Sequence, residues 1–156
     1  MLTIEIPGWK TLNLAHLVLD YNGTLALDGR LLPGVRERLC GLSPLLDVHV
    51  LTADTFGSVR EQLRDISCAV SVIPSADQAL AKADYLKGLD PAKCVAVGNG
   101  RNDALMLGKA ELGIALIQEE GAAAKTVAAA EVVCRTINNA LDLLSNPLRL
   151  AATLRG

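Results

Sequence analysis

The chain has 156 residues, of which 51% are hydrophobic and 21% are charged, and its formal net charge at neutral pH is −2. A chain this apolar and weakly charged can offset its ordering entropy by burial, so intrinsic disorder is excluded and one compact domain is expected. The near balance of charge and an aromatic content of 3% argue against a nucleic-acid-binding protein, and no apolar run is long enough for a membrane-spanning helix.

Apolar runs of strand length alternate with amphipathic segments of helix length along most of the chain. The apolar runs predict six strands, at 16–20, 47–52, 69–73, 94–98, 112–116 and 131–134. The segments between them predict helices near 34–44, 56–66, 76–88, 102–110, 121–128 and 137–145, with a last helix that starts at Pro147. This alternation is typical of an α/β fold, in which helices flank both faces of a parallel sheet and make three layers.

Two hairpins are predicted in addition to this sheet. The first 14 residues predict an accessory hairpin around Pro7-Gly8. Asp28-Gly29, between apolar residues, predicts the tight turn of a second hairpin, which projects as a flap from the carboxyl end of the first core strand. The whole chain is therefore predicted to be a single domain, divided into the accessory hairpin 1–14, a core over 15–135 and C-terminal helices over 136–156.

The cysteines and the N-terminus indicate the cellular compartment. Cys40, Cys68, Cys94 and Cys134 are widely spaced and contain no C-x-x-C pair, so we predict small buried or half-buried thiols and neither a metal site nor disulfides. The N-terminal residues lack both the basic region and the long apolar core of a signal peptide. A cytoplasmic protein is expected.

Four polar features lie near the predicted carboxyl ends of strands: Asp20, Thr52, Lys82 and the segment Gly98-Asn-Gly-Arg-Asn-Asp103. Because these ends meet at one edge of a parallel sheet, we expect the four to share a crevice. A carboxylate there can attack phosphorus and form an acyl phosphate, while a hydroxyl and backbone N–H groups can hold the phosphoryl oxygens. An ammonium group and a magnesium ion can neutralise charge, which is most of what phosphoryl transfer requires.

These residues resemble, in the same order, the motifs of the haloacid dehalogenase (HAD) superfamily of phosphatases and related enzymes. Asp20-Tyr-Asn-Gly-Thr24 resembles the D-x-x-G-T signature of the first motif, and Thr52 and Lys82 are similar to the second and third motifs. The segment from Gly98 to Asp103 resembles the fourth motif, G-D-G-x-N-D. The first and fourth motifs also resemble the phosphorylation domain of P-type ATPases and soluble proteins similar to it. The resemblance implies a Rossmann-like HAD fold and, because the inserts after the first and third strands are short, no cap domain over the site.

The resemblance also implies roles for particular residues. Catalysis would depend on Asp20 as the nucleophile, together with Asn22, Thr52 and Lys82. The phosphoryl group would contact Gly23, Thr24, Thr52, Ala53, Lys82 and Asn102. A Mg²⁺ cofactor would be held by Asp20, the backbone carbonyl of Asn22, Asn99 and, directly or through a neighbouring ligand, Asp103.

Two positions depart from the family pattern. Asn22 stands where the phosphatases have an aspartate that acts as general acid and then general base, a role worth about 10²–10⁴-fold in rate. Asn99 stands where the fourth motif supplies a metal-binding aspartate, so metal affinity should be lower. The sequence therefore predicts a slow Mg²⁺-dependent phosphohydrolase that acts through an aspartyl phosphate at Asp20. The alternative is a non-catalytic module on the same fold that binds phosphate or a partner protein.

Partners follow from the same features. We expect a small phosphorylated substrate or a phosphoprotein, no nucleic acid and no membrane. An uncapped site on a hydrophobic chain favours a homo-oligomer, and the Ala- and Leu-rich helices at 121–128 and 137–154 are candidate surfaces.

Each motif also has a plainer interpretation that the sequence leaves open. The Asn-Gly pair after Asp20 is typical of a simple turn, and Thr52 competes with Asp54 and Thr55 as a helix N-cap. Lys82 could be a solvated helix residue, with Lys87 as the rival for its role. Arg101 could equally contact substrate or be solvated. A dinucleotide-binding loop is disfavoured because Asp103 replaces the third glycine, and a phospho-receiver domain is disfavoured because the third strand ends without a carboxylate.

Overall fold

The computed structural model describes residues 1–54 and 57–156. Its strands in chain order are β1 (Leu2–Glu5), β2 (Thr11–Leu14), β3 (His16–Asp20), β4 (Ala26–Leu27), β5 (Arg30–Leu31), β6 (Asp47–Thr52), β7 (Ala69–Val72), β8 (Cys94–Gly98), β9 (Leu112–Leu116) and β10 (Val132–Cys134). Its α-helices are α1 (Val35–Leu42), α2 (Ser58–Gln62), α3 (Gln78–Lys87), α4 (Ala104–Lys109), α5 (Ala124–Ala129), α6 (Ile137–Ser145) and α7 (Pro147–Leu154). Short 3₁₀ helices span Pro91–Lys93 and Arg101–Asp103.

A six-stranded parallel sheet in the order β10-β9-β8-β3-β6-β7 forms the middle layer. Side chains of successive strand residues point to opposite faces, so Leu17 and Leu19 of β3 join one hydrophobic core and Val18 joins the other. The first core includes residues of α1, α6 and α7, and the second includes residues of α3 and α4. The predicted three-layer α/β architecture is confirmed.

Strand β3 lies in the centre of the sheet, hydrogen-bonded to β6 on one side and β8 on the other. Leu17, Val18 and Leu19 have no exposed surface, as expected for a strand covered on both faces. The chain continues from β3 to β6 and β7 on one side, then crosses to β8, β9 and β10 on the other. This reversal opens a crevice at the carboxyl ends of β3 and β8, which is where open α/β sheets bind ligands.

Both predicted hairpins are present. Strands β1 and β2 pair antiparallel, as do β4 and β5. Asp28 and Gly29 connect β4 to β5 with φ values of 50° and 78°, as expected for a two-residue turn that needs positive φ at both central positions. Residues 21–25 connect Asp20 to this flap.

The largest differences from the sequence-based expectations concern the helix near 56–66 and Cys40. The helix predicted at 56–66 begins at Ser58 and ends at Gln62, and residue 56 lies outside the described residues. Residues 63–65 form a turn, although Leu63 and Ile66 are still buried as the helical periodicity predicted. Cys40 is exposed rather than buried, because it follows the core-facing Leu39 on α1 and is rotated about 100° from it around the helix axis.

The burial of the other thiols is as expected. Cys68 is half-buried, Cys94 and Cys134 are buried, and all are free. Within the described parts of the chain, no helix combines the length and the apolar character needed to cross a membrane.

Candidate active site

Asp20 is the last residue of β3, and its side chain is almost completely enclosed at the bottom of the crevice. The residue is 8% exposed. Its Oδ1 accepts a hydrogen bond from the Lys82 ammonium at 2.6 Å, and its Oδ2 accepts one from the Thr24 hydroxyl at 3.1 Å. Strand β3 therefore delivers one carboxylate, held by two donors, to the predicted position.

Lys82 connects two carboxylates inside the protein. Its side chain is 2% exposed, and its Nζ lies 2.6 Å from Oδ1 of both Asp20 and Asp103. The second oxygen of Asp103 accepts the backbone N–H groups of Asn99 and Gly100, at 3.0 and 2.9 Å. Asp103 therefore holds the fourth-motif loop with one oxygen and orients the ammonium with the other.

The rival lysine is excluded by its location. Lys87 lies one turn further along α3, with its side chain 59% exposed and paired to Asp84 on the surface. Lys82 lies on the buried face of α3 with Leu86, four residues later. The helix packs this face against the sheet, so Lys82 and not Lys87 reaches the crevice.

Burial dominates the electrostatics of this cluster. The pKa of Asp20 is raised to about 7: burial is the largest cause and repulsion from Asp103 adds to it, and together they outweigh the attraction to Lys82 and the hydrogen bonds from Lys82 and Thr24. Burial lowers the pKa of Lys82, but Asp20 and Asp103 together outweigh that effect, so its pKa lies above the ordinary value. Lys82 is therefore protonated at neutral pH, and it is shared by two carboxylates. With both carboxylates ionised, one ammonium does not neutralise them, so a further cation would be attracted to the cluster.

We predict that Lys82→Met lowers the free energy of unfolding by about 3–5 kcal/mol, because the substitution leaves two buried carboxylates without their cation. Urea denaturation at neutral pH in the presence of EDTA measures this loss. Lys87→Met is the matched control, since it removes an exposed ion pair on the same helix and should change stability little. Equal losses in the two variants would contradict the prediction.

Residues 21–26 fold into a tight turn above Asp20. The Tyr21 carbonyl accepts the N–H groups of Thr24, Leu25 and Ala26, and Gly23 adopts a φ of 78°. The buried Thr24 hydroxyl is 3.1 Å from Asp20 Oδ2 and 3.4 Å from Asn99 Oδ1. The segment is a turn, as the plainer interpretation predicted, and this turn brings the Thr24 hydroxyl back to Asp20, which is compatible with the motif interpretation.

Thr52 ends β6 and is 2% exposed. Its Oγ1 accepts the N–H of Asp54 at 3.0 Å. Helix α2 begins only at Ser58, so Thr52 is not its N-cap. The Asp54 carboxylate instead accepts a hydrogen bond from Ser58 at 2.7 Å, and the other candidate, Thr55, lies outside the described residues.

A cavity of about 220 Å³ collects most of the predicted site residues. Those that line it are Asp20, Asn22, Thr52, Ala53, Lys82, Asn99 and Asn102. The other three, Gly23, Thr24 and Asp103, are buried and do not line it.

The cavity also includes residues that the sequence analysis missed, among them Gln78 and Glu120. Gln78 lies one helical turn before Lys82 and accepts a hydrogen bond from the Asn102 amide at 2.6 Å, so helical spacing could have identified it. Glu120 lies in the loop that leaves the carboxyl end of β9, and the position of that loop at the same sheet edge was the available signal.

A second cavity of about 400 Å³ adjoins the first and shares Gln78 and Asn102 with it. Its lining also includes the cationic Arg101 and Lys125, the acidic Asp77 and the apolar Leu105. The surface next to Asp20 is therefore extended and partly basic.

Comparison with solved structures identifies the fold. The chain superposes on the 3-deoxy-D-manno-octulosonate 8-phosphate phosphatase from Moraxella catarrhalis, a structure with magnesium, phosphate and KDO, with a TM-score of 0.72, 14% identity, and coverage of 92% of this chain and 95% of that one. It superposes on a phosphoserine phosphatase in its apo form with a TM-score of 0.66, 15% identity, and coverage of 85% and 98%. The fold is that of the HAD superfamily, as the motifs implied.

Sequence comparison identifies a more specific group. No family model matches the chain. Over 63 residues it is 52% identical to the uncharacterized protein MJ0073 of Methanocaldococcus jannaschii, a match that covers 40% of this chain and 68% of that protein. The chain belongs to the same family as MJ0073.

Proposed function

We propose that this protein is a Mg²⁺-dependent phosphohydrolase that acts through an aspartyl phosphate at Asp20. The observation that carries the proposal is the buried Asp20 carboxylate. It lines the cavity at the end of β3, where the strand order reverses, and it lies 2.6 Å from the Lys82 ammonium. The HAD fold, shared with phosphatases, supports the same class of reaction.

The proposed reaction has two displacements at phosphorus. A carboxylate oxygen of Asp20 forms a bond to phosphorus as the bond to the leaving oxygen breaks, and the leaving group takes a proton from solvent. Water then attacks the same phosphorus and gives up a proton to solvent, and the bond to Asp20 breaks. Inorganic phosphate leaves and the carboxylate is regenerated.

The other cavity residues would bind the phosphoryl group and balance its charge. Lys82 keeps its proton and orients Asp20, while Thr52, Ala53 and Asn102 line the space that the phosphoryl oxygens would occupy. Thr24 would hold Asp20 through its hydroxyl hydrogen bond, and Gly23 supplies the positive φ of the turn that brings Thr24 there.

The donors around Asp20 fit a magnesium ion. Asp20 Oδ2 and Asn99 Oδ1 lie 3.1 and 3.4 Å from the same Thr24 hydroxyl, so two oxygens are close to one region of the site. Mg²⁺ prefers oxygen ligands and keeps several waters. Within residues 1–54 and 57–156, no three acidic, histidine or cysteine side chains surround one point, so the ion would depend on the Asn99 amide and the Asn22 carbonyl beside Asp20. When bound, it would neutralise the phosphate and the nucleophile. Asp103 would act through Lys82, because both of its oxygens are already engaged.

We expect turnover to be slow and the site to be open. Asn22 cannot act as general acid or base, so leaving groups of high pKa would depart slowly. The flap of β4 and β5 has two residues in each strand, and only residues 73–77 separate β7 from α3. Neither insert is long enough for a cap domain, so we expect a capless enzyme, similar to the soluble P-type ATPase-like group. The adjoining basic cavity would hold the rest of a small phosphorylated substrate or a phosphoprotein segment.

A non-catalytic phosphate-binding module is the second candidate. It is favoured by the amides at Asn22 and Asn99, which together remove two carboxylates that the phosphatases use. Self-association stays a prediction. Leu148 of α7 is 86% exposed, and an apolar side chain so exposed would favour it.

A phosphate-release assay tests the proposal. We expect release from aryl and acyl phosphates in the presence of Mg²⁺ and loss of release when EDTA removes the metal. The non-catalytic module instead predicts no release across a broad panel of phosphate esters, together with thermal stabilisation by phosphate. That second result would overturn the proposed activity.

A further inference from the structure

Glu120 reaches the candidate active site from a loop that no motif covers. It follows β9 in a turn closed by a hydrogen bond of 2.7 Å from the Gly121 N–H to the Gln118 carbonyl. The Gln118 side chain donates to the carbonyl oxygens of Gly23 and Thr24, at 2.9 and 2.8 Å. The first end of this turn is therefore fixed to the segment that covers Asp20.

The second end of the turn is fixed to Asn99. The Asn99 side-chain amide donates to the Gly121 carbonyl at 3.0 Å, and the Asn99 carbonyl accepts the Ala123 N–H at 2.9 Å. With both ends anchored, the position of Glu120 is set by the same two motif segments that build the site.

The Glu120 carboxylate and the Asn99 amide converge on one point. A Cβ atom built on Gly23 would collide with Glu120 Oε2 and would lie 2.8 Å from Asn99 Nδ2 and 2.9 Å from Asn99 Oδ1. Glu120 also lines the cavity together with Asp20. Because Gly23 has no side chain, the Glu120 carboxylate and the Asn99 amide can both lie close to its Cα atom.

The Asn99 amide makes this arrangement possible. Its Nδ2 donates to Gly121, which leaves Oδ1 directed at Thr24 and the Asp20 side of the cavity. A carboxylate at position 99 has no hydrogen to donate to the Gly121 carbonyl and would face the negative charge of Glu120. Asn99, which departs from the fourth motif, therefore also anchors the turn that carries the Glu120 carboxylate beside the site.

We propose that Glu120 supplies the second negative charge of the Mg²⁺ site, in place of the carboxylate that position 99 lacks. This inference rests on the proposed function. Mg²⁺ commonly retains several coordinated waters, so a carboxylate at the cavity wall can hold the ion through one of them as well as directly. The carboxylate is then supplied by the loop after β9 and not by position 99, which follows β8, and both positions line the same cavity.

Metal titration tests the role of Glu120 without relying on turnover. Isothermal calorimetry with MgCl₂, repeated with MnCl₂, gives the affinity of each variant. Glu120→Gln should weaken binding about 10–100-fold, the usual cost of losing a supporting partner of a metal site. Glu119→Gln is the matched control, because it removes the neighbouring exposed carboxylate in the same turn and should bind as the unmodified protein does.

A charge relocation provides the second arm. The double variant Asn99→Asp with Glu120→Gln restores one carboxylate to the cavity and should recover part of the lost affinity. Urea denaturation checks that each variant is folded.

The outcomes separate the two proposals. Equal affinity of Glu120→Gln and Glu119→Gln would overturn the role of Glu120 and leave the phosphohydrolase intact. Glu120-dependent binding without phosphate release from any ester would support the metal site and overturn the activity. If the unmodified protein bound neither Mg²⁺ nor Mn²⁺, the role of Glu120 would be wrong.

Discussion

Asp20→Asn is expected to reduce Mg²⁺-dependent phosphate release to the background rate. An amide oxygen is a much weaker nucleophile than a carboxylate, so the covalent step is lost. The substitution keeps the size of the side chain and leaves Lys82 paired with Asp103, so the protein should remain folded. Phosphate release from an aryl phosphate, with and without EDTA, measures the effect.

A second measurement identifies the intermediate. In the unmodified protein, rapid acid quenching during turnover should trap one phosphoryl group, seen as a mass increase on the peptide that contains Asp20. Asp28→Asn is the matched control, because Asp28 is exposed in the flap turn, where its positive φ suits asparagine equally well. Full activity in Asp20→Asn, with mass spectrometry showing that the amide is intact, would disprove the mechanism.

Asn22→Asp is expected to have the opposite effect and to raise turnover about 10²–10⁴-fold, the range that positioned acid–base catalysis contributes. Asn22 lines the cavity two residues after Asp20, yet it is exposed, so the new carboxyl group has room and stability should change little. The gain should be larger for alkyl phosphates than for aryl phosphates, because a poor leaving group depends more on a proton donor.

The control for this gain is Asn13→Asp, the same chemical change at an exposed position of β2. A similar rate for Asn22→Asp and the unmodified protein, on both kinds of ester, would show that position 22 does not limit turnover. A gain confined to aryl phosphates would contradict the leaving-group explanation.

The strands that bear the site were predictable with correct ends. His16–Asp20 and Asp47–Thr52 match the predicted strands residue for residue, because the central strands of a covered sheet are rich in apolar residues and a polar residue stands at each end of both segments. The segment at 56–66 was less predictable. Periodicity correctly indicated that Val59, Leu63 and Ile66 are buried, but a short helix followed by a turn gives the same spacing as a continuous helix.

The sequence by itself determined the three-layer α/β fold and the shared location of Asp20, Thr52 and the fourth-motif loop, since hydrophobic periodicity defines the strands and parallel strands end at one edge. Only the tertiary structure decided that Lys82 and not Lys87 reaches the crevice, and that Asp103 supports that lysine with both oxygens engaged. It alone brought Glu120 beside Asn99. These outcomes depend on which helix face packs on the sheet and on hydrogen bonds between segments far apart in the chain, and local sequence patterns do not encode either of them.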